Sequence, residues 1–138
     1  MSQQHFKKHE DEIESSLSDE DELYRENILD HYKHPHNKGT LSEHTFKHHE
    51  LNPTCGDELT IFMNVKNNKV YDVSFEGHGC AISQASASLL TDEVKGKTID
   101  ELKKLTKEDV YKLLGIPISV TRIRCALLSL RTIQEGLK

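Results

Sequence analysis

Several features that mark other classes of protein are scarce or missing in this 138-residue sequence. It has no tryptophan, only three prolines, and no apolar run approaching the ~20 residues of a membrane-spanning helix. Residues 1–22 contain no apolar stretch of the kind that a secretory signal requires. We therefore expect one water-soluble domain that lies in the cytoplasm and does not contact a membrane.

Positive charge is also in short supply, because the net charge is −5 with histidine neutral. Nonspecific nucleic-acid binding depends on Lys and Arg side chains that neutralise phosphates, so we expect no nucleic-acid partner. Cysteine is rare too, and the three cysteines are an odd number. In a reducing compartment such thiols favour metal binding or thiol reactivity over a disulfide framework.

The chain divides into a short polar segment and one domain. Residues 1–19 are charged and aperiodic, so we predict a disordered or frayed tail there and a single domain over residues 20–138. The domain begins with a helix over residues 20–33, in which apolar side chains such as Ile28 and Tyr32 recur near a period of 3.6.

The middle of the chain predicts antiparallel strands. Residues 42–52 carry a weak signal for an edge strand, whereas residues 58–66 clearly alternate apolar and polar side chains. Residues 71–76 alternate in the same way after a turn at Asn67 and Asn68. The last two segments therefore form a β-hairpin with one buried face.

Helices fill the rest of the chain. A helix rich in small residues is predicted over residues 81–95, and Thr98 and Thr106 have the positions of N-caps for two short helices. A final helix covers roughly residues 121–137. This order predicts an α+β domain, a small antiparallel sheet packed on one face by helices.

Two cysteines flank the predicted hairpin. Cys55 lies in the segment NPTCGDE just before its first strand, and Cys80 lies in GHGC just after its second strand. Because a tight hairpin returns the chain to the side where it began, these two loops should be neighbours. Asp57 follows Cys55 by two residues and shares its loop.

The third cysteine, Cys125, lies near the start of the last helix. On a helical wheel it falls nearly opposite the middle of the apolar stripe, whereas a thiol kept only for packing is expected on the stripe. The sequence therefore predicts a polar-face cysteine, where Arg122, Arg124 and the helix dipole favour a thiolate. The predicted stripe consists of Val120, Ile123, Ala126, Leu127, Leu130 and Ile133.

Cys55, Asp57, Cys80 and Cys125 together offer three sulfur ligands and one oxygen ligand. Thiolates select zinc or iron–sulfur clusters. A structural zinc site is usually closed by Cys and His, so an oxygen ligand suggests a more exchangeable metal centre. Each residue alone also has a simpler interpretation, since a free cysteine is commonly a core residue and an aspartate after glycine is commonly a turn residue.

Histidine is abundant, and most of the nine histidines precede Glu50. His78 lies two residues before Cys80 and is interpreted either as a loop residue or as a spare ligand. Five others are interpreted as solvated side chains or adventitious metal binders, namely His31, His34, His36, His48 and His49.

These motifs resemble one known family. The segments NPTCGDELTIFMNV, VSFEGHGCAISQASASLLTDEVKGKT and RIRCALLSLRTIQ are similar to the U-type iron–sulfur cluster assembly scaffolds, the family of IscU, SufU and the NifU N-terminal domain. The resemblance runs from about Leu23 to the C-terminus. It implies an α+β domain whose ligands meet at one end, with Cys55, Asp57, Cys80 and Cys125 in the ligand positions.

The resemblance also implies a function. A cysteine desulfurase would deliver persulfide sulfur to one of the thiols, and Cys125 matches the usual sulfur acceptor. Iron would join the sulfur to form a [2Fe–2S] cluster, which would pass to apo iron–sulfur proteins or carrier proteins. A zinc ion would occupy the same ligands when no cluster is bound.

Two departures from the family pattern leave the subtype open. Arg124 stands where IscU-type members carry a histidine, and a protonated arginine offers no lone pair to a metal. That position is SufU-like, whereas the short interval from Cys80 to Cys125 is IscU-like. A cluster scaffold is the favoured function and a zinc-dependent sulfurtransferase is the alternative. Asp57 argues against a zinc-stabilised interaction domain that lacks sulfur chemistry.

Overall fold

The structure, a computed structural model, describes residues 21–53 and 56–138. Residues 1–19, where the sequence predicts a tail, and Cys55 lie outside the described residues. The elements in chain order are helix α1 (Asp21–Lys33), strands β1 (Phe46–Asn52), β2 (Asp57–Lys66) and β3 (Lys69–His78), and helices α2 (Ala81–Val94), α3 (Ile99–Lys103), α4 (Lys107–Leu114) and α5 (Ile123–Gly136).

The three strands form one antiparallel sheet in the order β1–β2–β3. Strand β1 confirms the edge strand that the sequence predicts within residues 42–52. The hairpin turn is also confirmed, because Asn67 and Asn68 both have positive φ angles, 53° and 65°. Two consecutive left-handed residues match the right-handed twist of the strands that they connect.

Helices cover one face of this sheet. Helix α2 packs against β3, helix α5 packs against β1 and β2, and α1 packs against α2. Small residues bring α2 and α5 together: the Ser86 hydroxyl donates to the Ala126 carbonyl at 2.7 Å and lies 3.0 Å from Ser129 Oγ. Apolar side chains of the sheet and helices form a shared core, which confirms the α+β prediction.

The two short helices begin where the sequence predicts. The Thr98 hydroxyl accepts from the Glu101 N–H at 3.1 Å, and the Thr106 hydroxyl accepts from the Asp109 N–H at 3.4 Å. Both carboxylates reach back to the N-cap N–H, so both are capping boxes. Each cap typically contributes about 1 kcal/mol. No described helix is long and apolar enough to cross a membrane.

One strand departs from the alternation that its sequence suggests. Tyr71 is predicted on the buried face with Phe75, but it is 59% exposed. The β2–β3 register shifts between Asn64 and Val65, and Val70 is buried in place of Tyr71. A bulge of this kind changes which side chains face inward, and alternation alone does not reveal it.

The prediction that Cys125 lies on the polar face of the last helix is wrong. Cys125 is 0% exposed and belongs to the core, whereas Val120 is 86% exposed. Val120 lies in a 3-10 turn, so it is out of phase with the α-helix that begins at Ile123. The buried face also carries Ser129 and Thr132, which a stripe defined by apolar residues omits.

The interpretation of His31 as a solvated side chain is wrong as well. Only 6% of His31 is exposed, and its Nδ1 lies 2.7 Å from the Ser88 hydroxyl on α2. The backbone N–H of His36 donates to the same hydroxyl at 2.7 Å, and the His36 ring lies 2.6 Å from Asp92 Oδ2. These contacts join the segment after α1 to helix α2.

Candidate metal centre

Asp57 is the first residue of β2 and points into the protein, where it is 1% exposed. Its Oδ1 accepts a hydrogen bond from the Cys80 N–H at 3.0 Å. Gly79 makes room for this carboxylate, because a Cβ there would overlap Asp57 Oδ1 and approach Ser83 Oγ to 2.6 Å. The glycine before Cys80 is therefore required for close packing.

Cys80 occupies the N-cap position of α2 without a side-chain capping hydrogen bond and is 6% exposed. A hydrogen bond with the Cys125 thiol lowers the pKa of the Cys80 thiol to about 7. A backbone hydrogen bond at Ser83 and the charge of Arg122 also lower this pKa, whereas burial and the Asp57 carboxylate raise it. The local field thus supports a thiolate at Cys80 near neutral pH.

Cys125 lies in the first turn of α5. Its Sγ accepts a hydrogen bond from Asn52 Nδ2 at 3.7 Å, and Asn52 is the last residue of β1. Strand β1 and helix α5 pack against each other, which brings this sulfur to the end of the sheet where β2 begins. The cysteine of this helix therefore lies near the start of β2 and the end of β3, at the open end of the hairpin.

Asp57, Cys80 and Cys125 form one group, in which the ligand atoms lie within 4.8 Å of one another. All three residues are buried. Zinc binds sulfur at about 2.3 Å and carboxylate oxygen at about 2.0–2.2 Å, so two ligands of one tetrahedral ion lie about 3.5–4 Å apart. The compact group of two thiols and one carboxylate fits a single metal ion after small side-chain movements.

The fourth predicted ligand, Cys55, stays a prediction because it lies outside the described residues. The residues on both sides of it are at the group. Asn52 contacts Cys125, and the Gly56 N–H donates to the Asn52 carbonyl at 2.9 Å. Asp57 itself comes directly after Gly56.

His78 does not join this group. The His78 side chain is 72% exposed, and its Nε2 lies 3.0 Å from Glu58 Oε2. Glu58 and His78 are opposite each other in the β2–β3 ladder. The structure thus gives His78 a carboxylate partner at the sheet surface instead of the position of a spare ligand.

Sequence reasoning missed Asn52 and Gly79 as members of the site. Both lie within the motifs that carry cysteines, NPTCGDE and GHGC. Their proximity to these cysteines was the only available signal. The contact of Asn52 with Cys125 and the proximity of Gly79 to Asp57 depend on packing between distant segments.

Most of the chain matches a known family. A family model described as "NifU-like N terminal domain" matches residues 23–138. The chain belongs to the NifU-like N-terminal domain family. This NifU-like chain is 38% identical over 133 residues to the zinc-dependent sulfurtransferase SufU of Bacillus subtilis, covering 84% of this chain and 90% of the relative.

Scaffold proteins are also among the relatives. The NifU-like chain is 33% identical over 132 residues to the iron–sulfur cluster assembly scaffold protein IscU of Thermotoga maritima, covering 84% of this chain and 93% of the relative. A solved structure from Fervidobacterium islandicum AW-1, described as a candidate cluster assembly scaffold for the SUF system, has a TM-score of 0.70 and 32% identity. That match covers 86% of this chain and 98% of the solved chain.

Proposed function

We propose that this NifU-like domain is a scaffold for the de novo assembly of [2Fe–2S] clusters. The observation that carries the proposal is the convergence of Asp57, Cys80 and Cys125 in one buried group. It occurs in a chain whose relatives include an IscU scaffold protein. Cys55 is the proposed fourth ligand, because the residues on both sides of it lie at this group.

Cys125 is the proposed sulfur acceptor. Its thiolate attacks the terminal sulfur of a persulfide on a cysteine desulfurase, the donor S–S bond breaks, and the desulfurase cysteine leaves as a thiolate. The product is a persulfide on Cys125, with no net oxidation. Because Cys125 is buried, this transfer requires the segments around the group to move apart when the partner binds.

Iron and the finished cluster are cargo in this proposal. Iron joins the accepted sulfur at the four ligands, and the [2Fe–2S] cluster then passes to apo iron–sulfur proteins or carrier proteins. Asp57 serves this exchange, because a carboxylate holds iron less firmly than a thiolate does. We place the protein in the cytoplasm, where a reducing environment keeps the thiols free.

The same residues suit a zinc ion when no cluster is bound. Two thiols and a carboxylate within a compact buried group are ligands that zinc accepts, and Cys55 would complete a tetrahedral site. Zinc would supply a positive charge that keeps its cysteine ligands deprotonated.

A zinc-dependent sulfurtransferase is the second candidate. The 38% identity to SufU of Bacillus subtilis supports it, and so does Arg124, an exposed residue that replaces the IscU-type histidine. In this candidate the same sulfur transfer to Cys125 occurs, but the sulfur is passed on without assembly of a cluster.

Anaerobic reconstitution with a cysteine desulfurase, cysteine and ferrous iron separates the two candidates. A scaffold should retain about two irons and two sulfides per cluster and lose zinc, as measured on the re-purified protein. A sulfurtransferase should keep zinc, bind little iron and accelerate the desulfurase. Cys125→Ser should prevent persulfide formation in either case, and persulfide on that variant would assign the acceptor role to Cys55 or Cys80.

We also propose that residues 20–138 form the functional domain and that residues 1–19 are dispensable. A chain that begins at residue 20 should match the full chain in cluster reconstitution and in desulfurase stimulation. A loss of either property would show that the first segment contributes to function.

A further inference from the structure

One buried polar side chain beside the candidate metal centre has an oxygen with no hydrogen-bond partner among the described residues. Asn52 is 1% exposed, yet its Oδ1 makes no hydrogen bond within the part of the chain that the structure describes. Leaving a buried polar atom without a hydrogen bond destabilises the folded protein. Native proteins contain few such atoms, and each calls for an explanation.

The other half of the same amide points at the metal centre. Asn52 Nδ2 donates to Cys125 Sγ at 3.7 Å. A hydrogen bond to a charged acceptor is roughly twice as strong as one between neutral groups, so this contact strengthens when the sulfur is negative. If the amide were flipped, its oxygen would face that sulfur and would repel it whenever the sulfur is a thiolate.

The backbone of Asn52 fixes the direction of this side chain. Asn52 pairs with Asp57 in the β1–β2 ladder, and its carbonyl accepts the Gly56 N–H at 2.9 Å. Asn52 is therefore held both by β1 and by its contact with Gly56, the residue before β2. Its side chain reaches from the end of β1 to Cys125 on α5.

We propose that Asn52 is a positioning residue, whose amide N–H holds the Cys125 sulfur at the metal centre when that sulfur is a metal ligand. The hydrogen bond that Oδ1 lacks among the described residues is the loss of stability that accompanies this orientation. The inference rests on the proposed function for the role of Cys125, whereas the contact between Asn52 and Cys125 is independent of it.

The variant Asn52→Leu separates a positioning role from a structural one. Leucine has a similar size but neither donor nor acceptor, so the metal-free variant should be as stable as the wild type or more stable in denaturant unfolding. Its zinc affinity, measured by competition with a chelating dye, should fall about 10- to 100-fold, as for other groups that hold metal ligands. Unchanged zinc affinity would overturn the proposal.

Ser74→Ala is the matched control. Ser74 Oγ is the other buried side-chain atom without a hydrogen bond among the described residues, and Ser74 lies opposite Phe62 in the middle of the hairpin. Removing this hydroxyl should leave zinc affinity unchanged. An equal loss of zinc affinity in both variants would show that the effect is a general response to core substitution and would overturn the proposal.

A double-mutant cycle with Cys125→Ser tests whether Asn52 acts through Cys125. The loss of zinc affinity caused by Asn52→Leu should disappear in the Cys125→Ser background. An undiminished loss there would mean that the substitution lowers zinc affinity without acting through Cys125, and it would contradict the positioning role.

A metal-free measurement keeps this inference separate from the proposed function. In NMR spectra, Cys125→Ala should shift the side-chain amide protons of Asn52 and leave those of Asn64, which donates to the Glu43 carbonyl at 2.7 Å, in place. No shift at Asn52 would refute the contact. If the shift occurs but Cys125→Ser leaves zinc affinity unchanged, the proposed ligand set and the metal role of Asn52 both fail, while the contact stands.

Discussion

The turn end and the open end of the β2–β3 hairpin differ in whether their polar groups are satisfied within the protein. At the turn end, backbone groups pair with the chain that follows α2. The Val70 N–H donates to the Lys97 carbonyl at 2.9 Å, the Gly96 N–H donates to the Val70 carbonyl at 2.7 Å, and the Ile99 N–H donates to the Asn68 carbonyl at 3.1 Å. This end is satisfied internally, as stable structure usually is.

The open end buries polar groups that are suited to an external ligand. Asp57, Cys80 and Cys125 meet there, and the nearby Asn52 Oδ1 has no partner in the described part of the chain. One hairpin thus has stabilising backbone hydrogen bonds at its turn end and a candidate metal centre at its open end. Substitutions at the turn should change stability alone, whereas substitutions at the open end should change metal binding.

The largest effect is expected for Gly79→Ala. The added Cβ would overlap the Asp57 carboxylate and crowd Ser83, so Asp57 could not keep its place beside Cys80. Substituting a residue that orients a metal ligand lowers metal affinity about 10- to 100-fold, and displacing the ligand itself should cost at least the upper value. Zinc affinity should therefore fall at least about 100-fold. Chelator competition measures this loss.

Gly96→Ala is the control for Gly79→Ala at the turn end. Gly96 has a φ of +86° and open space around its missing Cβ. Alanine there should lower the free energy of unfolding by about 1–2 kcal/mol, because a left-handed backbone disfavours a Cβ, and should leave zinc affinity unchanged. Similar losses of zinc affinity in both variants would remove the distinction between the two ends.

The next largest effect concerns Asp57→Ala after cluster reconstitution. If the carboxylate is the exchangeable ligand, its removal should slow transfer of the cluster to an apo iron–sulfur protein. We expect a decrease of about tenfold, the lower end of the effects that changes around metal ligands have on affinity or activity. The metal-free variant should also lose about 1–3 kcal/mol, because the buried Cys80 N–H loses its acceptor. Transfer followed by circular dichroism gives the rate.

Glu58→Ala is the neighbouring control for Asp57→Ala. Glu58 also carries a carboxylate, but it lies at the sheet surface with His78. Its removal should leave the transfer rate unchanged. If Asp57→Ala also transfers its cluster at the wild-type rate, the exchangeable-ligand explanation of Asp57 is wrong.

Most of the fold could be predicted because its signals are local. Alternation defined the hairpin, two asparagines marked its turn, and threonines marked two helix starts. The bulge that exposes Tyr71 and the burial of His31 depend on partners distant in the sequence, so no local pattern contains them.

The site could be predicted in part for the same reason. Hairpin geometry predicted that the loops of Asp57 and Cys80 lie together. The structure also brings Cys125 to them. Cys125 lies on the buried face of its helix, which the stripe of apolar residues did not identify correctly. At this meeting point Asn52 contacts Cys125, and Gly79 leaves room for Asp57 because it has no side chain. Such packing is a property of the assembled fold.

A smaller effect is expected at the turn itself. Asn68 has a φ of 65°, a conformation that asparagine tolerates and most other residues do not. Asn68→Ala should lower the free energy of unfolding by about 1 kcal/mol in denaturant unfolding, whereas Asn68→Gly should not. Zinc affinity should stay unchanged in both variants. A change in zinc affinity would show that the turn and the metal centre are coupled.

The smallest effect is expected from pH at His31, which lies on α1 against helix α2. Burial lowers the pKa of this histidine, and the neighbouring His36 lowers it further, although Asp92 and Asp30 raise it. Above its ordinary pKa of 6.5 the ring is neutral in both states and its stabilising contribution is complete. As pH falls below 6.5, the unfolded chain takes up the proton first, so the free energy of unfolding decreases until the lowered pKa is passed.

Denaturant unfolding at pH 7.5 and 5.5 should therefore show a stability gap between the wild type and His31→Gln that narrows at the lower pH. His34 is exposed and lies one residue beyond α1, so the free energy of unfolding of His34→Gln should change with pH as that of the wild type does. A constant gap would mean that His31 contributes packing alone.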